Sequence, residues 1–302
     1  MSDKSGKKPM REVSVEGCKL IGKGGNGAVY RLDDETIVKV YDGRRYSPER
    51  IKKSRETTRN AFVAGIPSMI AFDMVKVGKD YGVVYEMINA RSMKDVIASN
   101  PGKTEEYAHL IAATLKKLHH TEFERGALPD ARGLLRTEIK MSAEKGVYTR
   151  AQAERLFRMV EDIPFRNTFI HYDFHPGNLM YQNGEIVLID IDDAGLGHPI
   201  IDLASMYLVY VSAAKANWKV NENDVTKKQY AVLWDIIIKD YFGVSSPKEI
   251  KEINRIIKGY SLTRFIKGVA FKQEIPAVIR KPVVGVSKRQ LFSMIDSMHP
   301  IP

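Results

Sequence analysis

The chain has 302 residues, 44% of them hydrophobic and 28% charged, with a formal net charge of +10 and one cysteine, Cys18. This composition supports one large core or two lobes and excludes extensive disorder; a lone cysteine excludes an intramolecular disulfide, and no Cys/His spacing fits a structural zinc site. The longest uncharged apolar run, "LASMYLVYVSAA" at 203–214, falls short of the ~20 residues that cross a bilayer, so a cytoplasmic protein without membrane association is expected.

The chain opens "MSDKSGKKPM", lysine-bearing and without an apolar block, so residues 1–16 read as a flexible start and not a signal peptide. From Gly17 to Tyr41 the pattern alternates, with glycines in its first bend and Asp33-Asp34 in its second. Three antiparallel strands follow, near 17–22, 27–32 and 36–41. Ser47-Pro48-Glu49 is a helix start, with a capping serine, proline in the first turn and an acid beside it; Gly65 is the expected stop. Strands near 69–77 and 81–88 flank a "GKD" turn, so 17–88 forms a small antiparallel sheet with one helix.

Beyond Asn89 the period becomes helical. In Thr104–His120, Tyr107, Ile111, Leu115 and Leu118 recur at helical spacing. Further helices are expected near 132–145, 150–162, 199–213, 226–242, 247–270 and 287–297. There is no internal repeat or low-complexity tract. The expected architecture is α+β: an N-terminal lobe over 17–88 and a larger, mainly helical lobe over 89–302, divided near 89–92.

Three stretches carry chemistry. Gly22-Lys23-Gly24-Gly25-Asn26-Gly27 matches G-x-G-x-x-G, but strand continues on both sides of it. A dinucleotide fingerprint would lead into a helix; glycines between antiparallel strands suit either a hairpin needing positive φ or a lid whose amides reach nucleotide phosphates. Lys39, the one charge within "TIVKVY", is either an outward residue of an edge strand or a cation for α/β-phosphates, held by a carboxylate from the next helix. Glu56 is the candidate carboxylate, and Glu49 suits less well at the helix start.

The third stretch is "HYDFHPGN", His171 to Asn178, a polar loop between strand-like segments. Asp and Asn serve turns by bonding their own backbone. Here, however, "EIVLID" leads to Asp190, twelve residues after Asn178. The two ends of a short hairpin would converge as hard oxygen ligands for Mg²⁺, with Asp173 facing an acceptor hydroxyl. Asp192 and Asp193 follow in a turn.

With "GKGGNGAVY", "IVKVY", "VVYEMI", "LKKLHH", "HYDFHPGN" and "LIDIDDAGLGHPIIDLA" in order, the chain over about 17–212 resembles the protein-kinase-like phosphotransferases, specifically the aminoglycoside phosphotransferase and choline kinase group. The resemblance implies a two-lobed kinase fold using ATP as co-substrate with Mg²⁺. It implies Asp173 as catalytic base, Asn178 and Asp190 as magnesium ligands, and Lys39 paired with Glu56. It further implies phosphate contacts from Gly22, Gly24 and Gly27, a hinge at Glu86 to Ile88 whose backbone binds adenine, support from His175 and Asp192, and ordering of the catalytic loop by Asp202. Two departures stand out: the glycine loop is fuller than in many antibiotic kinases, and Tyr172 occupies the place of the glycine in the group's "HGD".

A protein kinase needs a long activation segment after its magnesium aspartate, whereas Asp202 follows Asp190 by twelve positions and no "APE" intervenes. His175 also matches the small-molecule kinases, and an insert near 121–168 stands in the family's acceptor-binding region. The expected activity is therefore phosphorylation of a small hydroxyl compound, with ATP or GTP as donor; the alternative is an atypical protein kinase. Residues 203–302 carry 16 basic against 8 acidic residues, without a nucleic-acid-binding module. As part of the acceptor wall they would repel a polycation. The insert's acids, Glu122, Glu124, Asp130, Glu138, Glu144, Glu154, Glu161 and Asp162, could offset this. A neutral or anionic acceptor is expected.

Overall fold

The computed structural model describes residues 10–24, 27–214 and 224–301. The chain divides into a first compact unit ending at Ala90 and a second beginning at Arg91.

The first unit is a five-stranded antiparallel sheet built from β1 (Lys19–Gly24), β2 (Gly27–Arg31), β3 (Thr36–Tyr41), β4 (Ala71–Val77) and β5 (Asp80–Glu86), in the order β1-β2-β3-β5-β4. Period-2 alternation sets its faces: Val38, Val75, Val77 and Val84 form a buried cluster, with Val40 and Tyr30 against it. One helix, α1 (Pro48–Val63), connects β3 to β4. Ser47 caps it by accepting the Arg50 amide hydrogen, and Pro48 and Glu49 occupy its first turn, as the sequence dictates. Its buried stripe is Ile51, Ser54, Thr57, Thr58 and Ala61.

The second unit begins with β6 (Arg91–Ser92), α2 (Met93–Ser99) and α3 (Thr104–His120), followed by α4 (Arg132–Glu144) and α5 (Arg150–Glu161). Short strands β7 (Phe169–Ile170), β8 (Leu179–Gln182), β9 (Glu185–Leu188) and β10 (Gly195–Leu196) come next. Strand β8 pairs with both β6 and β9, and β7 pairs with β10. Helices α6 (Ile200–Tyr207), α7 (Lys227–Phe242), α8 (Pro247–Phe271) and α9 (Ala277–Met294) complete it, α6 continuing as a π-helical stretch over Leu208–Ala213. The core lies where α3 packs on α7: Ile111, Leu115, Leu118, Leu233, Ile237 and Ile238 are fully buried. Among the described residues no helix is long and apolar enough to cross a membrane.

Three differences from the sequence reading have physical causes. Helix α9 starts ten residues before the expected 287, because Pro276 serves as its N-cap and Pro282 is carried inside it, where proline ordinarily breaks a helix. Helix α2 has seven residues, too short to show a period. The segment expected as one helix over 199–213 changes hydrogen-bond pattern after Tyr207.

At the start of α6, buried His198 accepts the Ile200 amide hydrogen through Nδ1, 3.1 Å away. Burial, with help from Arg166 and His119, pushes its pKa down from 6.5 to about 4. The folded state thus disfavours a proton that the unfolded chain binds readily, so this contribution to stability is complete above pH 6.5 and is lost as pH falls toward 4. Urea denaturation between pH 7.5 and 4.5 should give a falling unfolding free energy, with a shallower slope in His198→Gln; equal slopes would remove His198 as a cause.

Candidate active site

In the second unit the site is built around Asp202, which is fully buried. Its Oδ2 accepts the His171 amide hydrogen at 2.9 Å and its Oδ1 that of Tyr172 at 2.6 Å. A third contact joins Oδ2 to His119 Nε2 at 3.1 Å, and His119 Nδ1 lies 2.7 Å from the Tyr241 hydroxyl. Burial pushes the Tyr241 phenol upward, so it keeps its proton and donates to Nδ1. The other nitrogen of His119 then carries the hydrogen that Asp202 accepts. A buried charge needs such partners, and here they tie the polar loop to α3, α6 and α7.

The loop folds back on itself. Asp173 N donates to His171 Nδ1 at 3.3 Å, and Asn178 N donates to the His175 carbonyl at 2.8 Å. His175 Nδ1 accepts the Gly177 amide hydrogen at 3.0 Å, which leaves the ring hydrogen on Nε2, 3.5 Å from Asp173 Oδ2. Glycine at 177 leaves room for this ring: a Cβ would stand 2.9 Å from the His175 ring and push it aside. The Asp173 carboxylate is 46% exposed. Burial raises its pKa, but the His175 hydrogen bond and the nearby charge of Arg264 bring it down to about 2. His171 is fully buried, and that burial lowers its pKa, so it stays neutral.

Asn178 donates through Nδ2 to the Asp173 carbonyl at 3.0 Å, so its amide oxygen is turned away from that bond. The β8–β9 ladder continues one step beyond the strands, with Ile189 N donating to the Asn178 carbonyl at 3.1 Å. Asp190 therefore follows directly on the residue facing Asn178, as the hairpin reading expects. Asp190 has φ 57°, a left-handed conformation that tightens the exit from β9. Asp192 and Asp193 fill a turn closed by Ala194 N donating to the Ile191 carbonyl. From Ala194 to Tyr207 every residue is buried.

In the first unit, Lys39 sits on β3, between Val29 of β2 and Val83 of β5, so the edge-strand reading of this lysine fails. It is half-buried, with Nζ 5.1 Å from the centre of the Tyr41 ring. The expected pair with Glu56 does not form. That carboxylate is 54% exposed, with Lys52 at 3.9 Å, because the rotation of α1 points Ser54, Thr57 and Thr58 inward instead. No acid of α1 lies on its buried face.

The glycines also separate. Gly27 has φ +151°, and a Cβ there would meet the Val40 carbonyl oxygen at 2.0 Å, so the fold alone demands glycine. At Gly22 the nearest atom would be Val29 Cβ at 3.7 Å, and at Gly24 there is nothing within 4 Å; the chain itself has room for side chains there. Gly25 and Asn26 lie outside the described residues. At the expected hinge, Glu86 Oε1 accepts the Ile70 amide hydrogen at 2.6 Å and Met87 N donates to the Glu35 carbonyl at 2.6 Å. Among the described residues the Ile88 amide has no hydrogen-bond partner.

A cavity of about 20 Å³ lies among α4, α5, α6 and α8, with Glu138, Arg264 and Lys267 as its charged lining, and has room for roughly one water-sized group. Lys267 Nζ is 2.6 Å from Glu138 Oε1, and Arg264 donates to the Tyr172 carbonyl.

The sequence matches the family described as the phosphotransferase enzyme family over residues 17–231. The chain belongs to that family. No curated protein matches. Among solved structures, this phosphotransferase is similar to the ADP-bound aminoglycoside phosphotransferase APH(2'')-Ib (15% identity, 95% of each chain, TM-score 0.58). It is also similar to the amicoumacin kinase hAmiN in complex with AMP-PNP, Ca²⁺ and Ami (15%, 97% of this chain and 92% of that one, 0.58). A third is a choline/ethanolamine kinase family protein from Mesorhizobium loti (14%, 92% and 88%, 0.53). At these identities the neighbours establish the protein-kinase-like fold of the family.

His119, Tyr241 and Arg264 escaped the sequence reading. A signal existed for His119, which stands four residues after Leu115 on the buried stripe of α3; Tyr241 and Arg264 belong to helices that carry no motif. Asp202→Asn leaves one loop amide facing an NH₂ group and removes a buried charge from three partners, which should cost about 2–4 kcal/mol of unfolding free energy. Urea melts compare the two proteins, and an unchanged midpoint would show that Asp202 does not hold the loop.

Proposed function

We propose that this phosphotransferase moves the γ-phosphoryl group of a nucleoside triphosphate, ATP in the first instance, to a hydroxyl of a small neutral or anionic molecule. The observation that carries the reading is the loop geometry: one carboxylate, Asp173, held ionised and half-exposed, next to a hairpin that presents Asn178 and Asp190 as oxygen donors.

The residues fit a hard cation. Asn178 has its nitrogen committed to the Asp173 carbonyl, which leaves oxygen for a ligand, and Asp190 adds a carboxylate. These two would hold Mg²⁺, which when bound neutralises the phosphate charge that develops during transfer. In the reaction the acceptor oxygen forms a bond to the γ-phosphorus, the bond from phosphorus to the β,γ-bridging oxygen breaks, and the diphosphate leaves. The hydroxyl proton passes to Asp173. With a pKa near 2, Asp173 is a weak base toward a resting alcohol. It orients the hydroxyl first and takes the proton as transfer proceeds. Lys39 supplies a cation for the phosphates. Gly22 and Gly24, where the fold tolerates side chains, are kept bare for close approach of backbone to phosphate, and the Ile88 amide serves the base. Neighbours with bound ADP and AMP-PNP lend support to a nucleotide donor.

Two observations favour a small acceptor that is not a polycation. The segment from Ala194 to Tyr207 is wholly buried and offers no platform for a peptide. Of the insert's acids, Asp130 is paired with Arg132 at 2.8 Å, Glu138 with Lys267 at 2.6 Å and Glu161 with Arg136 at 2.6 Å. Glu154 pairs with Arg150 at 3.0 Å and Glu144 with Lys140 at 4.0 Å. Five of the eight acids are thus engaged within the chain, which thins the acidic wall a polyamine needs.

Asp173→Asn should lower kcat by about 10²–10⁴ with nucleotide affinity nearly unchanged; turnover above a tenth of wild type would remove it from the role. By titration calorimetry, Asp190→Ala should eliminate Mg-dependent nucleotide binding and Asn178→Ala should weaken it less, since a neutral amide is the poorer ligand. An ADP- or GDP-release assay across sugars, phosphorylated sugars, choline and aminoglycosides, with either triphosphate, tests the acceptor class. Aminoglycoside turnover with kcat/KM above ~10⁴ M⁻¹s⁻¹ would overturn it.

A further inference from the structure

Tyr172 is the residue immediately before the proposed base, and its φ is 73°. A left-handed backbone costs a glycine nothing and costs an aromatic residue strain. Of the three non-glycine residues with positive φ among the described residues, Asn183 sits in the ordinary Asn-Gly turn between β8 and β9, while Tyr172 and Asp190 flank the proposed chemistry. Something must hold Tyr172 where its own sterics oppose it.

Both sides of its Cα are gripped. On the amide side, Tyr172 N donates to Asp202 Oδ1 at 2.6 Å. On the carbonyl side, Arg264 Nη1 donates to Tyr172 O at 2.5 Å. The same guanidinium lies over the Tyr172 ring, 4.5 Å from its centre, and the residue is 3% exposed. The planar fork of arginine thus meets the backbone oxygen and the ring face of one residue together, which lysine could not do. The carbonyl that Arg264 holds belongs to the peptide unit leading into Asp173, so freeing it would let that plane rotate and carry the carboxylate out of line. Arg264 comes from α8, 92 residues along the chain, within the basic stretch "RIIKGYSLTRFIKGVAFK".

We propose that Arg264 is a positioning residue that clamps Tyr172 in its left-handed conformation and thereby aims Asp173. This rests on the reading of Asp173 as proton acceptor. It assigns part of the basic C-terminal third an internal task, apart from any contact with the acceptor.

The test is a cycle of Arg264→Met and Tyr172→Gly, read as ADP release from Mg-ATP with water or the best acceptor of the panel. Arg264→Met should lower kcat tenfold or more while changing KM for Mg-ATP less than twofold, since a small misplacement of a reacting group is costly. In the Tyr172→Gly background, where no strain needs restraining, the same change should cost less than threefold. Equal losses in both backgrounds would mean that Arg264 acts through its charge, and no loss in the wild-type background would mean that it does not act at all; either overturns the proposal. Should circular dichroism show Tyr172→Gly or Arg264→Met unfolded, Tyr172→Asn, which tolerates the left-handed region, and Arg264→Lys, which keeps the charge but not the planar fork, replace them: a loss that Tyr172→Asn relieves supports the clamp, and an equal loss or none overturns it. Asp173→Asn is run alongside: if it remains active, the reading of the base has failed, whereas an inactive Asp173→Asn with an insensitive Arg264→Met defeats the clamp alone.

Discussion

A carboxylate with no access to solvent must be surrounded by donors or lose its charge. Asp202 meets that requirement with two consecutive backbone amides and one imidazole, and the geometry of the site follows. Consecutive amides converge on one carboxylate only if the backbone at His171, between them, leaves the extended conformation, so the loop begins its bend there. The imidazole is in turn fixed by a phenol, so the anchoring carboxylate is locked in rotation as well as position. Asp173 inherits its placement from a buried neighbour that holds the two amides just before it.

Around this anchor the loop sorts two aspartates into different tasks by environment. Asp202 is sealed, with its oxygens occupied. Asp173 stays half-exposed and is held ionised by His175 and Arg264. The histidines divide in the same way: His171 is buried and neutral, a backbone acceptor, while His175 is oriented by the Gly177 amide so that its hydrogen faces Asp173. The shape of the turn allows this, since a side chain at Gly177 would displace the ring.

Much of this was legible from local pattern. The strands of the first unit, the Ser47 cap of α1 and the hairpin bringing Asn178 toward Asp190 depend on neighbours within a dozen residues, and sequence spacing encodes such geometry well. Glu56 shows where that stops: spacing placed an acid on the right helix but could not fix the helix's rotation, since a stripe of Ser54, Thr57 and Thr58 carries little hydrophobic signal to mark the inward face. Lys39 shows the converse, for a charge in the central strand of a sheet was visible as an anomaly before the sheet order was known. His119, Tyr241 and Arg264 act on residues 83 to 122 positions away; such partnerships are settled by tertiary packing alone.

Those long separations bear on how the protein comes into being. The loop that carries the proposed base is synthesised well before Tyr241 and Arg264, so a chain emerging from the ribosome holds the whole "HYDFHPGN" stretch while two of its supports are still unmade. Contacts this distant in sequence form only after the intervening chain has closed. The full set of contacts around the loop is therefore among the last features to be assembled, and a chain released short of α8 would carry every chemical group of the loop without the Arg264 contact proposed to aim Asp173.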